Sequence, residues 1–173
     1  MSDPPILTDP HAATLWQNAA AMAAQAHEGQ FSPGSTMPYF AHPARVAMLV
    51  AAEFGCTDPE VIATAYLHDV FEKTSLTREA VALTMGAKVA QWVEWLSKTT
   101  KDEKESYWQR LSAAPWQARL IKMADALDHL NGPAEYREAR LRTARKALAL
   151  ATSDEPEIAR AAEILKTVID LHV

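Results

Sequence analysis

The chain has 173 residues, of which 49% are hydrophobic, and its 22 acidic side chains outnumber 17 basic ones to give a net charge of −5. A chain of this length can bury roughly 70% of its unfolded surface in one core. The negative balance argues against a surface that binds nucleic acid or an anionic membrane, and no apolar run approaches the roughly 20 residues needed to cross a bilayer. We therefore predict one compact domain, residues 1–173.

The cysteine content and the first residues indicate the compartment. The single cysteine, Cys56, excludes an intrachain disulfide and a Cys-rich zinc site, and we expect it to be a small buried side chain. The opening sequence MSDPPILTDP lacks the basic and apolar regions of a signal peptide. These features favour a cytoplasmic protein, and they leave a homo-oligomer open.

The spacing of apolar residues predicts an all-α fold of about eight or nine helices, because no stretch shows sustained alternation of apolar and polar residues. Between the first two helices lies a loop rich in Gly, Pro and Ser, GQFSPGSTMPYF (29–40). The first predicted helix spans residues 11–28, and the second begins at His42-Pro43. The third begins at Thr57-Asp58-Pro59-Glu60 and carries His68 and Asp69.

The second half of the chain continues the helical pattern. The mixed charges KDEKE (101–105) predict a solvated turn. We divide the domain into a core, 11–131, and C-terminal helices, 134–172. A short helix is predicted from Ser75 or Thr77 to about Thr84, and another carries Val89 to Leu96. A further helix carries Trp116 to Leu130 and includes Asp125. The last two predicted helices span 134–152 and 155–171.

Charged residues interrupt the apolar pattern of YLHDVFEKT (66–74). His68 and Asp69 are adjacent, about 100° apart on a helix, and Glu72 follows one turn later. Three groups that can bind a metal or carry a proton therefore converge. The alternative is a partly buried histidine whose neighbouring aspartate caps or pairs with another helix.

Two other helices supply similar groups, since His42 begins one and Asp125 lies in LIKMADALDHL (120–130) on another. Two imidazoles and two carboxylates suit Mn²⁺, Fe²⁺ or Zn²⁺ better than the all-oxygen sphere of Ca²⁺. Without a metal, a helical core would bury unpaired ions at a cost of several kcal/mol each.

The ordered pattern His42, His68-Asp69 and Asp125 resembles the HD-domain metal phosphohydrolases. Five longer segments resemble the hydrolase domain of the RelA/SpoT alarmone enzymes, and the likeness runs from about residue 15 to 131. The chain most resembles a stand-alone small alarmone hydrolase. The segments are AHEGQ (26–30), PYFAHPARVA (38–47), AYLHDVFEKT (65–74), GAKVAQWVEWLSKTT (86–100) and LIKMADALDHL (120–130).

The resemblance implies an all-α, manganese-dependent enzyme of the stringent response that removes the 3′-pyrophosphate of (p)ppGpp. It implies that Glu72 is the first acid of a catalytic Glu-Asp pair. Two alternatives are an HD phosphohydrolase acting on another nucleotide or phosphate ester, and a nucleotide-binding module without turnover. The residues that match the family's metal ligands are His42, His68, Asp69 and Asp125.

Three residues depart from that family's pattern. Lys73 replaces the second catalytic acid, where it either binds the pyrophosphate or points to solvent. Phe31 stands where the family has Arg, so it either stacks on a purine, which admits (p)ppApp as a substrate, or packs into the core. His129 replaces a common Asn and either contacts water or the leaving phosphate, or is structural.

Several other side chains are candidates for substrate contacts. Arg45 lies one turn after His42, and Lys122 lies three residues before Asp125, so these two are the better candidates for holding phosphate. Arg140, on a later helix, is a further cation, and Tyr136 is a candidate contact to a ribose or base.

Overall fold

The computed structural model describes residues 10–98 and 104–172, and all of their regular secondary structure is helical. Nine of the ten α-helices in these ranges have eight residues or more, so the all-α prediction is confirmed. The ten helices are α1 (Pro10–Ala26), α2 (Ala41–Met48), α3 (Pro59–Leu67), α4 (Val70–Lys73), α5 (Arg78–Met85), α6 (Ala87–Leu96), α7 (Lys104–Ser112), α8 (Trp116–Leu130), α9 (Arg137–Leu148) and α10 (Pro156–Leu171). A π-helical segment, Leu49–Glu53, extends α2, and a 3₁₀ turn, Ala134–Tyr136, precedes α9.

Side-chain caps set the start of two helices. Asp58 Oδ1 accepts a hydrogen bond from the backbone N–H of Glu60 at 2.9 Å, and Pro59 occupies the first turn of α3. Thr77 caps α5 in the same way through the N–H of Ala80. The Asp58 cap therefore fixes the residue at which α3 begins.

Two hydrophobic clusters form the interior, and α3 contributes to both. The larger cluster surrounds α8 and includes side chains of α2, α6, α7, α9 and α10. The smaller one joins α1, α3, α5 and α6. Cys56 is buried in the larger cluster, where burial raises the pKa of its thiol to about 11.

The prediction that one continuous helix carries His68 and Asp69 is wrong. Helix α3 ends at Leu67, and Asp69 lies at φ −104° and ψ −5° immediately before the four-residue α4. His68 Nδ1 lies 2.8 Å from the carbonyl oxygen of Ala65, the acceptor that a continuing helix would pair with the N–H of Asp69.

The helix α7 was missed by the sequence analysis. The mixed charges at 101–105 predicted a turn, of which 101–103 lie outside the described residues, and a helix begins at Lys104. Its buried Tyr107 and Leu111 stand four residues apart and face the core. The predicted helix 134–152 is shorter than expected and is preceded by the 3₁₀ turn.

Candidate active site

Side chains from four places in the chain meet at one buried centre. His42 lies in the first turn of α2, His68 at the end of α3, Asp69 before α4, and Asp125 in the middle of α8. His42 Nε2 lies 3.3 Å from Asp125 Oδ1 and 3.6 Å from Asp69 Oδ2. His68 Nε2 lies 3.8 Å and 3.6 Å from the same two oxygens. The candidate ligand atoms of His42, His68 and Asp125 all lie within 4.8 Å of one another.

Both histidines present an unpaired nitrogen to this centre. The Nδ1 atoms of His42 and His68 lie 2.8 Å from Asp128 Oδ2 and from the Ala65 carbonyl oxygen, respectively. A carboxylate and a carbonyl only accept hydrogen bonds, so in a neutral ring Nδ1 carries the proton and Nε2 carries the lone pair. Both Nε2 atoms are buried without a hydrogen bond. A divalent cation would use both lone pairs, so these residues fit a metal.

The carboxylates remain ionised although they are buried. Burial raises the pKa of Asp125, but Lys122 and the hydrogen bond from His129 bring it well below its usual value. Burial likewise opposes ionisation of Asp69, and His68 and Lys73 outweigh it, so the pKa of Asp69 is also lowered. The centre therefore attracts a cation.

The two histidines respond differently to this charge. Burial lowers the pKa of His42, but the neighbouring carboxylates of Asp125 and Asp128 raise it overall to about 9. Burial dominates at His68 and lowers its pKa. In the metal-free protein at neutral pH, His42 is therefore protonated, and its positive charge offsets the carboxylates as a bound cation would.

The two oxygens of Asp125 have separate partners. Lys122 Nζ donates to Oδ2 at 2.6 Å, and both groups are buried. Oδ1 faces His42, His68 and the Nδ1 of His129, which lies 2.9 Å away. The ion pair with Lys122 leaves Oδ1 directed toward the centre.

A cavity of about 260 Å³ opens beside this centre and is rich in basic side chains. It brings together five of the residues predicted from the sequence to act in catalysis or substrate binding: Glu72, Lys73, Lys122, His129 and Arg140. The candidate metal ligands His68, Asp69 and Asp125 form part of its wall. Its other lining residues are Leu96, Lys98, Tyr107, Ala139 and Thr143.

Three predicted substrate contacts do not line this cavity. Arg45 donates to both carboxylate oxygens of Asp128, from Nε at 2.6 Å and from Nη2 at 2.9 Å. Phe31 is 58% exposed on the loop between α1 and α2, so the interpretation that places it in the core is wrong. Tyr136 is exposed, with the guanidinium of Arg140 5.5 Å from its ring centroid.

The catalytic candidates have specific partners. Glu72 Oε1 accepts from the backbone N–H of Lys98 at 2.7 Å. Lys73 Nζ lies 4.0 Å from Asp69 Oδ2 and 5.3 Å from the Tyr39 ring centroid. The ring of His129 packs against that of His42, with centroids 4.6 Å apart.

Three side chains of the site were not predicted from the sequence. Lys98 lies in the quoted segment 86–100 and could have been found there, and Tyr39, whose hydroxyl donates to Asp69, lies in the segment 38–47. Asp128 follows Asp125 by three residues on α8, a spacing that places both on one face. Its partners His42 and Arg45 are more than 80 residues away, so no local sequence signal marks the contact.

The chain is similar to known proteins along most of its length. Residues 19–162 match the HD domain family model. A mouse protein named guanosine-3′,5′-bis(diphosphate) 3′-pyrophosphohydrolase MESH1 is 38% identical over 118 residues, which are 65% of each chain. The bifunctional (p)ppGpp synthase/hydrolase SpoT of Escherichia coli is 34% identical over 143 residues, covering 76% of this chain and 20% of that protein.

A solved structure described as a metazoan ortholog of SpoT that hydrolyzes ppGpp superposes with a TM-score of 0.73. It is 25% identical and covers 88% of this chain and 94% of its own. The chain belongs to the HD-domain family, and its resemblance to the SpoT-type hydrolases is confirmed. It spans just under two thirds of the mouse relative. In the part of the chain that the structure describes, no helix has the length and apolar character of a membrane span.

Proposed function

We propose that this protein is a metal-dependent hydrolase that removes the 3′-pyrophosphate of the alarmones (p)ppGpp or (p)ppApp. The products are the nucleoside 5′-diphosphate or triphosphate and pyrophosphate. The observation that carries this proposal is a pair of buried, unpaired imidazole nitrogens beside two carboxylates, at the wall of a basic cavity. The names of the mouse and Escherichia coli relatives support the choice of substrate.

His42, His68, Asp69 and Asp125 would hold the metal, with Mn²⁺ as the first choice and Fe²⁺ or Zn²⁺ as substitutes. When bound, a divalent metal polarises a phosphoryl oxygen and lowers the pKa of water. The Lys122 ammonium holds Oδ2 of Asp125 and so leaves Oδ1 turned toward the position of the metal.

Glu72 is the proposed acceptor of the proton from the attacking water. Its carboxylate is exposed to the cavity, and the N–H of Lys98 holds one of its oxygens. A carboxylate positioned in this way can accept a proton while its second oxygen orients the water. His129 lines the same cavity and is a second group that can contact water or the leaving phosphate.

The cavity also suits an anionic substrate. Four basic side chains line it, Lys73, Lys98, Lys122 and Arg140, although the protein as a whole is acidic. Cations gathered in a cleft attract phosphate groups and stabilise the charge that develops during phosphoryl transfer. We assign pyrophosphate binding to Lys73 and Arg140, because Lys122 is engaged by Asp125.

The base is proposed to contact the loop between α1 and α2. Phe31 is exposed there and offers a ring on which guanine or adenine can stack. Stacking discriminates poorly between purines, so we include (p)ppApp as a substrate. We also propose that residues 1–173 form one hydrolase domain, in which α9 and α10 pack on α8.

The test is release of pyrophosphate from ppGpp and from ppApp by the protein loaded with Mn²⁺. We expect turnover of at least one substrate, loss of turnover in Asp69→Ala, and normal turnover in Asp170→Ala, which removes an exposed carboxylate. No release from either substrate by protein with demonstrated metal occupancy would overturn the proposal. Release of another phosphate group would instead identify an HD phosphohydrolase with a different substrate.

A further inference from the structure

We propose that Asp128, held by Arg45, is a positioning residue that fixes His42 as a metal ligand. The inference rests on the metal centre of the proposed function and adds a layer of residues around it. Asp128 and Arg45 would act by determining which nitrogen of His42 carries the proton and where the ring points.

The contacts form a continuous chain from the surface to the metal centre. Arg45, about half exposed, donates to both oxygens of Asp128, and Asp128 Oδ2 lies 2.8 Å from His42 Nδ1. The Asp128 side chain is 6% exposed. Two parallel hydrogen bonds from one guanidinium fix a carboxylate in orientation as well as in position.

This arrangement permits only one useful state of His42. The carboxylate of Asp128 is paired with a cation and can only accept, so His42 must donate from Nδ1. The lone pair then lies on Nε2, which faces Asp125 and Asp69. The opposite tautomer would direct an N–H at the metal position and lose the bond to Asp128.

His68 provides an internal comparison. Its Nδ1 is held by the backbone carbonyl of Ala65, which no side-chain substitution removes. Only His42 depends on side chains for its orientation. A change at Asp128 should therefore act on one of the two imidazole ligands and leave the other in place.

The substitution Asp128→Asn separates positioning from simple packing because it retains the shape of the side chain. If the amide oxygen faces His42, the amide N–H₂ points at the donors of Arg45. If the amide turns around, its N–H₂ faces Nδ1 of His42 and favours the proton on Nε2. Either arrangement weakens the metal site, and loss of a group that orients a ligand typically costs about 10- to 100-fold in metal affinity.

The experiment is a calorimetric titration of the metal-free full chain with Mn²⁺ in the absence of substrate. We expect Asp128→Asn to bind Mn²⁺ about 10- to 100-fold more weakly than the original chain. Arg45→Lys should bind it a few-fold more weakly, because lysine cannot make the paired contact. The matched control Asp170→Asn removes a carboxylate from an exposed pair with Lys166 and should bind as the original chain does.

Urea unfolding of each metal-free variant reports its stability separately. A folded Asp128→Asn protein that binds Mn²⁺ within twofold of the original chain would overturn the inference, as would an original chain that binds no Mn²⁺. If Asp128→Asn does not fold, Arg45→Lys decides, and unchanged affinity there rejects the positioning role. Because no substrate is present, failure of the proposed hydrolysis would appear separately, as normal Mn²⁺ binding without pyrophosphate release.

Discussion

Lys73 places a cation beside the candidate metal centre, at the position where the family resemblance implies a second catalytic acid. Its ammonium lies 4.0 Å from Asp69 Oδ2, and its side chain is 40% exposed at the cavity. The ammonium partly offsets the negative charge of the centre and remains accessible to a substrate. This geometry favours phosphate binding over the interpretation in which Lys73 points only to solvent.

We expect Lys73→Met to raise the KM for the alarmone substrate about 10- to 100-fold, because a hydrogen bond to a charged group contributes about 1.5–3 kcal/mol. The kcat should change much less, since Glu72 and the metal residues remain. Steady-state kinetics with Mn²⁺ would measure both constants. Lys166→Met, which removes an exposed lysine paired with Asp170, is the control, and unchanged kinetics in Lys73→Met would dismiss the role.

His129 uses one ring nitrogen for a contact within its own helix and leaves the other available to the cavity. Its Nδ1 lies 2.8 Å from the Asp125 carbonyl oxygen, an acceptor, so Nε2 is the nitrogen left to contact water or phosphate. The side chain is 47% exposed and lines the cavity. A purely structural histidine at this position would be expected to be more deeply buried.

We expect His129→Gln to reduce kcat by about 100-fold or more, the usual contribution of a group that transfers a proton. Thermal stability should change little, because the half-exposed ring contributes little to the core. Single-turnover kinetics and a melting curve on the same sample would compare the two effects. A large fall in melting temperature with a proportionate loss of activity would instead indicate a structural residue.

At the scale of helices, local signals located most of the structure. Asp58 before Pro59, and Thr77 before α5, marked helix starts that the structure confirms, because a cap depends only on neighbouring residues. The end of α3 at Leu67 could not be predicted in this way, since the apolar pattern continues through Val70. Helix α7 was hidden by charges that are favourable in a turn and on a helix surface alike.

The candidate site likewise combines residues that have a local sequence signal with a contact that has none. The sequence supplied His42, His68, Asp69 and Asp125, because residue types that bind metals are conspicuous in apolar surroundings. It did not supply the pairing of Arg45 with Asp128, which are 83 residues apart. Only the crossing of α2 and α8 brings them together, and no periodicity within either helix encodes that crossing.

The cap of α3 offers a test of how one helix end affects the site at its other end. We expect Asp58→Ala to lower the free energy of unfolding by about 1 kcal/mol, the usual value of a cap. For a chain of this size, that is a fall of about 2–4 °C in melting temperature. Calorimetry would measure it, and Mn²⁺ affinity should be unchanged because Ala65 and Leu67, at the other end of α3, remain packed in the two hydrophobic clusters. Weakened Mn²⁺ binding would show that the cap also orders His68.

At the scale of the whole molecule, the candidate metal centre joins parts that pack in different clusters. Helices α2 and α8 belong to the larger cluster, and α3 contributes to both. The buried carboxylates and unpaired imidazole nitrogens of this centre reduce the stability of the fold when they have no partner. A bound cation should therefore stabilise the entire fold.

We expect removal of metal by a chelator to lower the melting temperature by about 5–10 °C. Metal at 100 times its Kd contributes about 2.7 kcal/mol, and each kcal/mol corresponds to about 2–4 °C for a chain of this size. Readdition of Mn²⁺ should restore the original value. In His68→Ala, which loses one of the unpaired nitrogens, chelator and Mn²⁺ should have little effect, and an equal response in that variant would place the stabilising metal elsewhere.

The pH dependence of stability should differ between the metal-free and the metal-bound protein, because metal and proton compete for His42. In the metal-free fold, its pKa is raised from 6.5 to about 9. The contribution of His42 to the stability of the metal-free fold is therefore fully present below pH 6.5 and is lost as the pH rises through about 9. Metal-free protein should melt at progressively lower temperature between pH 7 and about 9, whereas the increase in melting temperature caused by Mn²⁺ should grow over the same range, since the ligand must lose its proton.

Melting curves with and without chelator would test both trends, and His42→Gln should remove the slope of the metal-free protein. A metal-free melting temperature that stays constant across this range would show that the carboxylates around His42 do not retain its proton.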